Sequence, residues 1–220
     1  MKVTLVAVSQ PSSTAPGAPR TAEELMVYCA RVSSPDNQGS HETGERLLRY
    51  CMRNGHWSVF EMADMTVEVE TSRAIAAQML RHRSFSFQEF SQRYAAATLG
   101  FEETAPRRQD AKNRQASHDD LPEHARDWFQ EAQASIEATA LRTYEAALSQ
   151  GIAKESARFL LPLSVRTRLY MKGSARSWIH YLEARDADGV QREHRDVARA
   201  IRGVFAGAFP LTAAAMEDRT

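Results

Sequence analysis

The longest regular pattern in the chain lies between residues 120 and 150. Asp120 and Pro122 are typical of a helix start, and Gly151 is typical of a helix end. Apolar side chains recur between them at helical spacing. At about 1.5 Å per residue, such a helix is about 45 Å long, which exceeds the width of a small domain. We therefore expect it to pack against partner subunits.

Shorter patterns on both sides of this helix predict strands and further helices. Strands are predicted over residues 2–9, 62–70 and 164–172. Helices are predicted over about residues 21–32, 42–53, 72–80, 155–161, 174–184 and 190–208. Strands mixed with segregated helices are typical of an α+β fold. The length favours one domain that covers residues 1–220.

The charge balance argues against a general nucleic-acid-binding protein. The chain has 28 Lys and Arg, 28 Asp and Glu and a formal net charge of +0, whereas nucleic-acid binders carry a basic surplus. The arginines between residues 107 and 126 are mixed with acidic residues and lack interleaved aromatic rings. We find no signal peptide and no apolar run that could span a bilayer, so we expect a cytoplasmic protein without a membrane partner.

Cysteine and glycine motifs restrict the kinds of site that are possible. Cys29 and Cys51 lie in helical patterns beside apolar residues, which favours buried free thiols over a disulfide or a nucleophile. No Cys-x-x-Cys or His-Glu-x-x-His motif occurs, so we expect no metal. No glycine-rich phosphate motif occurs either, so side chains must hold any nucleotide cofactor.

The run from Arg81 to Tyr94 concentrates groups that can bind an anionic, planar ligand. It reads Arg-His-Arg-Ser-Phe-Ser-Phe-Gln-Glu-Phe-Ser-Gln-Arg-Tyr. Arginine offers a rigid fork of donors that fits phosphate, and hydroxyl groups add directional hydrogen bonds. A helix end explains any single arginine, but local stability does not require the whole order. A polar turn at residues 54–61 precedes the run, and a late set of arginines and histidines follows it.

These three clusters together resemble the flavin-dependent thymidylate synthases. The order Asn-Gly-His, Phe-Glu, Gln-x-x-Arg-His-Arg, Ser-x-Arg-Tyr, Arg-x-Leu-Leu-Pro and a late arginine covers nearly the whole chain. The resemblance implies an α+β domain with a mixed β-sheet and long flanking helices. It also implies a homotetramer with FAD at subunit interfaces. The implied reaction methylates dUMP to dTMP, with 5,10-methylenetetrahydrofolate as carbon donor and NADPH as reductant.

The resemblance further implies roles for individual residues. The residues implied for FAD binding are His56, Ser58, Arg81, His82, Arg83, Glu89, Ser174, Arg176 and His180. Those implied for dUMP binding are Gln78, Arg81, Glu89, Ser91, Gln92 (through its backbone), Arg93, Arg158 and Arg185. The chain departs from the family pattern at Ser174 and His180, where asparagines are common, and in residues 186–189.

Arg185 is the predicted catalytic residue. Neither cysteine suits attack on the uracil ring, so a fixed cation has to stabilise the negative charge that develops on the ring. Ser91 has no general base beside it in the sequence, so we assign it to dUMP binding rather than to nucleophilic attack. The alternative functions are a related flavin-dependent nucleotide methylase on the same fold and a nucleic-acid-binding protein.

Overall fold

Six strands form one central sheet and one small hairpin in the computed structural model, which describes residues 1–217. The strands are β1 (Lys2–Val8), β2 (Asp64–Ser72), β3 (Ser86–Glu89), β4 (Arg108–Gln109), β5 (Ser117–His118) and β6 (Arg166–Ser174). The central sheet has the order β1-β2-β6-β3, and β4 pairs with β5. The predicted strands at 2–9, 62–70 and 164–172 are thus confirmed within about two residues at each end.

Helices make up most of the remaining chain. They are α1 (Ala22–Ala30), α2 (Gly44–Arg53), α3 (Arg73–Met79), α4 (Glu123–Ser149), α5 (Lys154–Ala157), α6 (Ala175–Arg185), α7 (Arg192–Ala208) and α8 (Pro210–Glu217). Short 3-10 segments cover Pro35–Asn37, Trp57–Glu61 and Arg158–Leu160. The α+β class is confirmed. The sequence interpretation missed α8, which restarts at Pro210, because proline at the first helical position both ends one helix and begins the next.

The prediction of a mixed sheet was wrong. In the described residues β1 pairs with β2, β2 with β6, and β6 with β3, and all three pairs are antiparallel. The long connection from β2 to β6 passes through α3, α4 and α5 and returns the chain in the opposite direction. A parallel pair would need a crossover that returns the chain in the same direction.

The two central strands carry the core and aim two helices at the candidate site. Val67 and Val69 of β2 lie opposite Met171 and Leu169 of β6, and all four side chains are fully buried. β2 continues directly into α3, and β6 continues directly into α6. Because the two strands are antiparallel, the helices begin at opposite ends of the sheet.

The first strand is more exposed than its sequence indicated. Apolar residues on both faces of residues 2–9 predict burial on both sides, but Leu5 is 42% exposed and Val6 is 51% exposed. β1 lies at the edge of the sheet, where only β2 pairs with it. Alternating apolar residues do not distinguish such an edge strand from a central one.

The predicted long helix is confirmed as α4, with 27 residues. Its buried apolar contacts lie in its second half, where Tyr144 and Ala147 pack against Ala157. Trp128 is 68% exposed and Ile136 is 58% exposed. Large apolar side chains on a surface helix are typical of a protein–protein contact.

The two cysteines are free thiols, as predicted, with Cys51 buried and Cys29 half-buried. Burial raises the pKa of the Cys51 thiol. In residues 1–217 no three His, Cys, Asp or Glu side chains come together as a metal site. Across the same residues, no helix has the length and apolar character needed to cross a membrane.

Candidate active site

The C-terminal ends of α3 and α6 meet at a histidine–arginine contact. Arg185, in the last turn of α6, donates from Nε to Nε2 of His82 at 2.8 Å. The ring of Tyr181 lies edge-on to the His82 ring, with centroids 4.8 Å apart. Burial, the charge of Arg185 and the charge of Arg81 lower the pKa of His82 to about 4. His82 is therefore neutral at pH 7 and accepts the hydrogen bond that orients Arg185.

A buried polar network continues from this contact to Gln78. Tyr181 Oη lies 3.1 Å from Nε2 of His194, and Nδ1 of His194 lies 3.2 Å from Oε1 of Gln78. Burial lowers the pKa of His194 to about 4, with further contributions from Arg185 and His82. Burial raises the pKa of Tyr181. Tyr181 of α6 and His194 of α7 therefore hold the Gln78 amide of α3 in one orientation.

The amide of Gln78 is also fixed from the outside. Its Nε2 donates to Oε1 of Gln191 at 2.6 Å, and Gln191 donates in turn to Glu193 at 2.9 Å. The Glu193 carboxylate binds both terminal nitrogens of Arg107, at 2.7 and 2.8 Å. Burial raises the pKa of Glu193, but the hydrogen bonds from Arg107 and Gln191 outweigh it and leave that pKa lowered.

Two residues of this arrangement were missed by the sequence interpretation. Tyr181 directly follows the predicted His180, but on a helix its side chain points to a different face, and no motif marks it as part of a site. Arg107 lies in an irregular polar segment, where no periodicity indicates what a side chain contacts. The late polar cluster of the sequence contains Gln191, Glu193 and His194, but no motif assigns them a role.

The two outer arginines of the Arg-His-Arg motif have no side-chain partner among the described residues. The side chains of Arg81 and Arg83 are exposed and make no hydrogen bond or ion pair with residues 1–217. Each guanidinium has five N–H donors in a planar fork. These donors remain available to an anionic ligand beside His82.

The predicted phosphate ligands form a separate group around Glu155. Arg93 binds the Glu155 carboxylate through Nε and a terminal nitrogen, both at 3.2 Å. Arg158 donates to the Glu155 carbonyl at 3.3 Å, and its guanidinium lies 5.7 Å from the Phe159 ring centroid. By sequence spacing, Glu155 and a bound phosphate are both possible partners of Arg158. The Glu155 carboxylate binds Arg93, so the guanidinium of Arg158 has donors available for another anion.

The residues between these groups have mainly internal contacts. Glu89 accepts from Thr167 at 2.9 Å and pairs with Arg73 at 3.1 Å. Ser91 Oγ accepts the backbone N–H of Arg93 at 3.4 Å. The Gln92 side chain is buried, and its Nε2 has no hydrogen-bond partner in the described part of the chain. A buried donor without a partner is unusual in a folded protein.

A second wall of the site joins α6 to the turn after α2. Gly55 adopts φ +71° at the end of α2, a conformation that favours glycine. The Trp57 ring then lies 4.5 Å from the His180 ring, and Arg176 binds Glu61 at 3.1 Å. The exposed His56 and Ser58 flank Trp57 on the same turn. This geometry brings the early cluster against the late one.

Ser174 is used at the start of α6. Its hydroxyl accepts the backbone N–H of Ser177 at 3.3 Å and is buried. Serine is a preferred residue at this capping position. Next to it, a Cβ on Gly173 would lie 2.5 Å from Cδ1 of Phe85. Gly173 thus makes room for the ring that follows the Arg-His-Arg motif.

A family model provides an independent comparison for this site. The model described as "Thymidylate synthase complementing protein" matches residues 18–211. This chain belongs to that family. The match spans the turn at residues 54–61, the Arg-His-Arg motif and the α6–α7 network, so every group described above lies within it.

Named relatives agree with the family. The "Flavin-dependent thymidylate synthase" of Synechocystis sp. is 52% identical over 217 residues, covering 99% of this chain and 100% of the relative. A "Probable flavin-dependent thymidylate synthase" of Paramecium bursaria Chlorella virus 1 is 53% identical over 201 residues, covering 90% of this chain and 91% of the relative. The resemblance predicted from the motifs is confirmed.

A solved structure confirms the fold. The UMP/dUMP methylase PolB from Streptomyces cacaoi, bound with 5-Br dUMP, superposes with a TM-score of 0.83. It is 28% identical, and the match covers 99% of this chain and 94% of that chain. The same methylase bound with 5-Br UMP gives the same score.

Proposed function

We propose that this protein is a flavin-dependent thymidylate synthase that methylates dUMP to dTMP. In this proposal FAD is the cofactor, 5,10-methylenetetrahydrofolate donates the carbon and NADPH supplies the reducing equivalents. The observation that carries the proposal is the contact of Arg185 with neutral His82 beside the fixed amide of Gln78. This arrangement presents a cation and an amide at one place, as recognition of a uracil ring requires.

The residues present suit a flavin nucleotide. FAD supplies the redox chemistry when bound. Arg81 and Arg83 have uncommitted donors that fit its phosphates, as expected where no glycine-rich loop exists. We assign His56, Ser58, Arg176 and His180 to the same cofactor, because they form one wall with Trp57. Ser174 and Glu89 support this site through the α6 cap and the Arg73 contact.

Arg185 acts on the substrate in this proposal. Its guanidinium stabilises the negative charge that develops on the uracil ring, and a preorganised donor needs no rearrangement during the reaction. His82 positions it, since a neutral imidazole can accept from Nε while a protonated one cannot. Gln78 provides both a donor and an acceptor for the edge of the uracil base.

The phosphate of dUMP is assigned to Arg93 and Arg158, with Ser91 and the Gln92 backbone beside them. Glu155 forms an ion pair with Arg93 when no phosphate is bound, so an incoming phosphate has to compete with the Glu155 carboxylate. Charge-assisted bonds from two arginines favour the phosphate. Anchoring the phosphate fixes where the base lies, which contributes to catalysis through positioning.

We also propose a cytoplasmic homotetramer built from a single domain of residues 1–220. The exposed apolar residues of α4, with Trp128 and Ile136 among them, support subunit contacts. The exposed edge strand β1, with Leu5 and Val6, supports a second contact. Sedimentation at several protein concentrations tests this part of the proposal, and a monomer at all concentrations contradicts it.

The proposed reaction is tested directly with purified protein. Incubation with FAD, NADPH, 5,10-methylenetetrahydrofolate and dUMP at low oxygen is expected to yield dTMP, detected by chromatography. Omitting either flavin or reductant is expected to abolish it. Arg185→Ala is expected to keep FAD and lose methylation, because the cation acts on the substrate. Loss of FAD from Arg185→Ala contradicts the substrate role.

A related nucleotide methylase is the second candidate. The structural match to a protein described as a UMP/dUMP methylase favours testing UMP beside dUMP. A preference for dUMP is expected from the proposed function. Equal turnover of UMP favours the second candidate instead.

A further inference from the structure

A cavity beside the flavin wall is lined by arginines and is not used by any role assigned above. Its volume is about 400 Å³. The lining residues are Arg31, Thr43, Arg46, Leu47, Arg49, Tyr50 and Arg53. Four positive charges therefore face one cavity, and no carboxylate is among the described residues that line it.

Three of these arginines form a row along α2. Arg46, Arg49 and Arg53 are spaced by three and four residues, which places them on one face of the helix. At about 1.5 Å per residue, the row is about 10 Å long. A row of forks at this length matches an extended chain that carries several carboxylates better than it matches one compact phosphate.

The arginines differ in how much they are already used. Arg31 donates to Thr43 Oγ1 at 2.6 Å and to the carbonyls of Asn37 and Ser40, so it shapes the rim. Arg49 binds Glu45 at 2.6 Å. Arg46 makes no hydrogen bond or ion pair with any residue from 1 to 217. It is the natural first contact for an incoming anion.

The cavity adjoins the turn that carries His56. Tyr50 lines it, and the Tyr50 ring meets the His56 ring edge-on with centroids 5.7 Å apart. His56 belongs to the wall assigned to the flavin. A ligand that reacts beside His56 can therefore extend past Tyr50 into the arginine row.

We propose that this cavity binds the γ-linked glutamate tail of the folate co-substrate. The inference rests on the proposed function, because it needs a folate that reaches the flavin. Successive tail carboxylates pair with Arg46 and its neighbours on α2, and Tyr50 separates the reacting end from the anionic end. The cavity thereby makes the enzyme favour folates with several glutamates over those with one.

Direct binding tests the proposal without turnover. The probe is p-aminobenzoyl-tetra-γ-glutamate, which lacks the pterin, titrated calorimetrically into FAD-loaded enzyme at low salt. The monoglutamate probe is the comparison. Arg46→Ala is expected to weaken the tetraglutamate by about fivefold, equivalent to about 1 kcal/mol for one exposed ion pair. Arg46→Glu is expected to weaken it further.

The variants are suited to this test. Alanine is the best helix former, and Arg46 has no hydrogen-bond or ion-pair partner to lose among residues 1–217, so α2 is expected to remain folded. Arg20→Ala is the matched control, because Arg20 is exposed, does not line the cavity and loses the same charge. It is expected to bind the tetraglutamate like the parent protein.

Turnover separates this inference from the proposed function. With the tetraglutamyl donor, Arg46→Ala is expected to raise KM about fivefold with little change in kcat, and with the monoglutamyl donor to change neither.

Equal binding of both probes by the parent protein, or an undiminished tetraglutamate affinity in Arg46→Ala, overturns the inference. If Arg46→Ala instead raises the KM for NADPH but not for NADH, the inference is also overturned, because the cavity then binds the extra phosphate of NADPH. Failure of the parent protein to make dTMP from the monoglutamyl donor overturns the proposed function, whereas the calorimetric result stands by itself.

Discussion

Buried His194 makes the stability of this protein sensitive to mild acid. Its side chain is fully buried between Tyr181 and Gln78. Its pKa is lowered from 6.5 to about 4 in the folded protein, chiefly by burial. Below pH 6.5 the unfolded chain takes up a proton at this residue, while the folded chain does so only near pH 4. The free energy of unfolding therefore falls as the pH falls through this window.

The size of the effect follows from the shift. A change from 6.5 to about 4 corresponds to at most about 3.4 kcal/mol once the pH is well below both values. Between pH 7 and pH 5 the loss is about 2 kcal/mol. His194→Gln removes the titration but keeps a donor for Gln78 and an acceptor for Tyr181. The variant is expected to lose about 2 kcal/mol less than the parent over this interval.

Urea unfolding at pH 7 and pH 5, at one protomer concentration, measures this difference. The fixed concentration is needed because subunit association contributes to apparent stability. His82 titrates in both proteins, so its contribution cancels in the comparison. His124→Gln, at an exposed position of α4, is the matched control and is expected to behave like the parent. Identical pH dependence in the parent and His194→Gln refutes the assignment of acid sensitivity to His194.

Three further substitutions test other parts of the site. Gly173→Ala places a Cβ 2.5 Å from Phe85, so we expect it to lower the free energy of unfolding by about 1–3 kcal/mol; unchanged urea unfolding argues against tight packing there. Ser91→Ala is expected to retain measurable dTMP formation, and complete loss with unaltered dUMP affinity would instead indicate a nucleophile. Arg93→Ala is expected to weaken dUMP binding by about ten- to a hundredfold in calorimetry and to leave deoxyuridine binding unchanged; equal weakening of both ligands contradicts a phosphate contact.

The sequence by itself determined most of the long helices and strands and the residue types that form the site. The helical period and the end signals of α4 are local, so they could be read without knowledge of the fold. The same holds for the α+β class and for the order of the Arg-His-Arg motif, which identified the family. Capping by Thr21, whose Oγ1 accepts the N–H of Glu24 at 3.1 Å, was also predictable because it involves neighbours in the chain.

Only the tertiary structure decided which of these groups meet. Arg185 and His82 are 103 residues apart, and Gln191 and Gln78 are 113 residues apart. Their contacts depend on β2 and β6 pairing antiparallel, which the sequence had not indicated. The low pKa of His82 likewise results from burial and from a cation supplied by another helix.

The same distinction explains why the prediction for β1 was wrong and why the sequence left the partner of Arg158 open. The apolar pattern of β1 is local, but its exposure depends on its place at the sheet edge. The residue type of Arg158 indicated an anionic partner. The ion pair between Arg93 and the Glu155 carboxylate, which leaves Arg158 available, forms only when α5 is packed. Periodicity and capping act between residues a few positions apart. Burial, ion pairing and pKa are set by neighbours in space, and those are fixed only when the sheet and helices assemble.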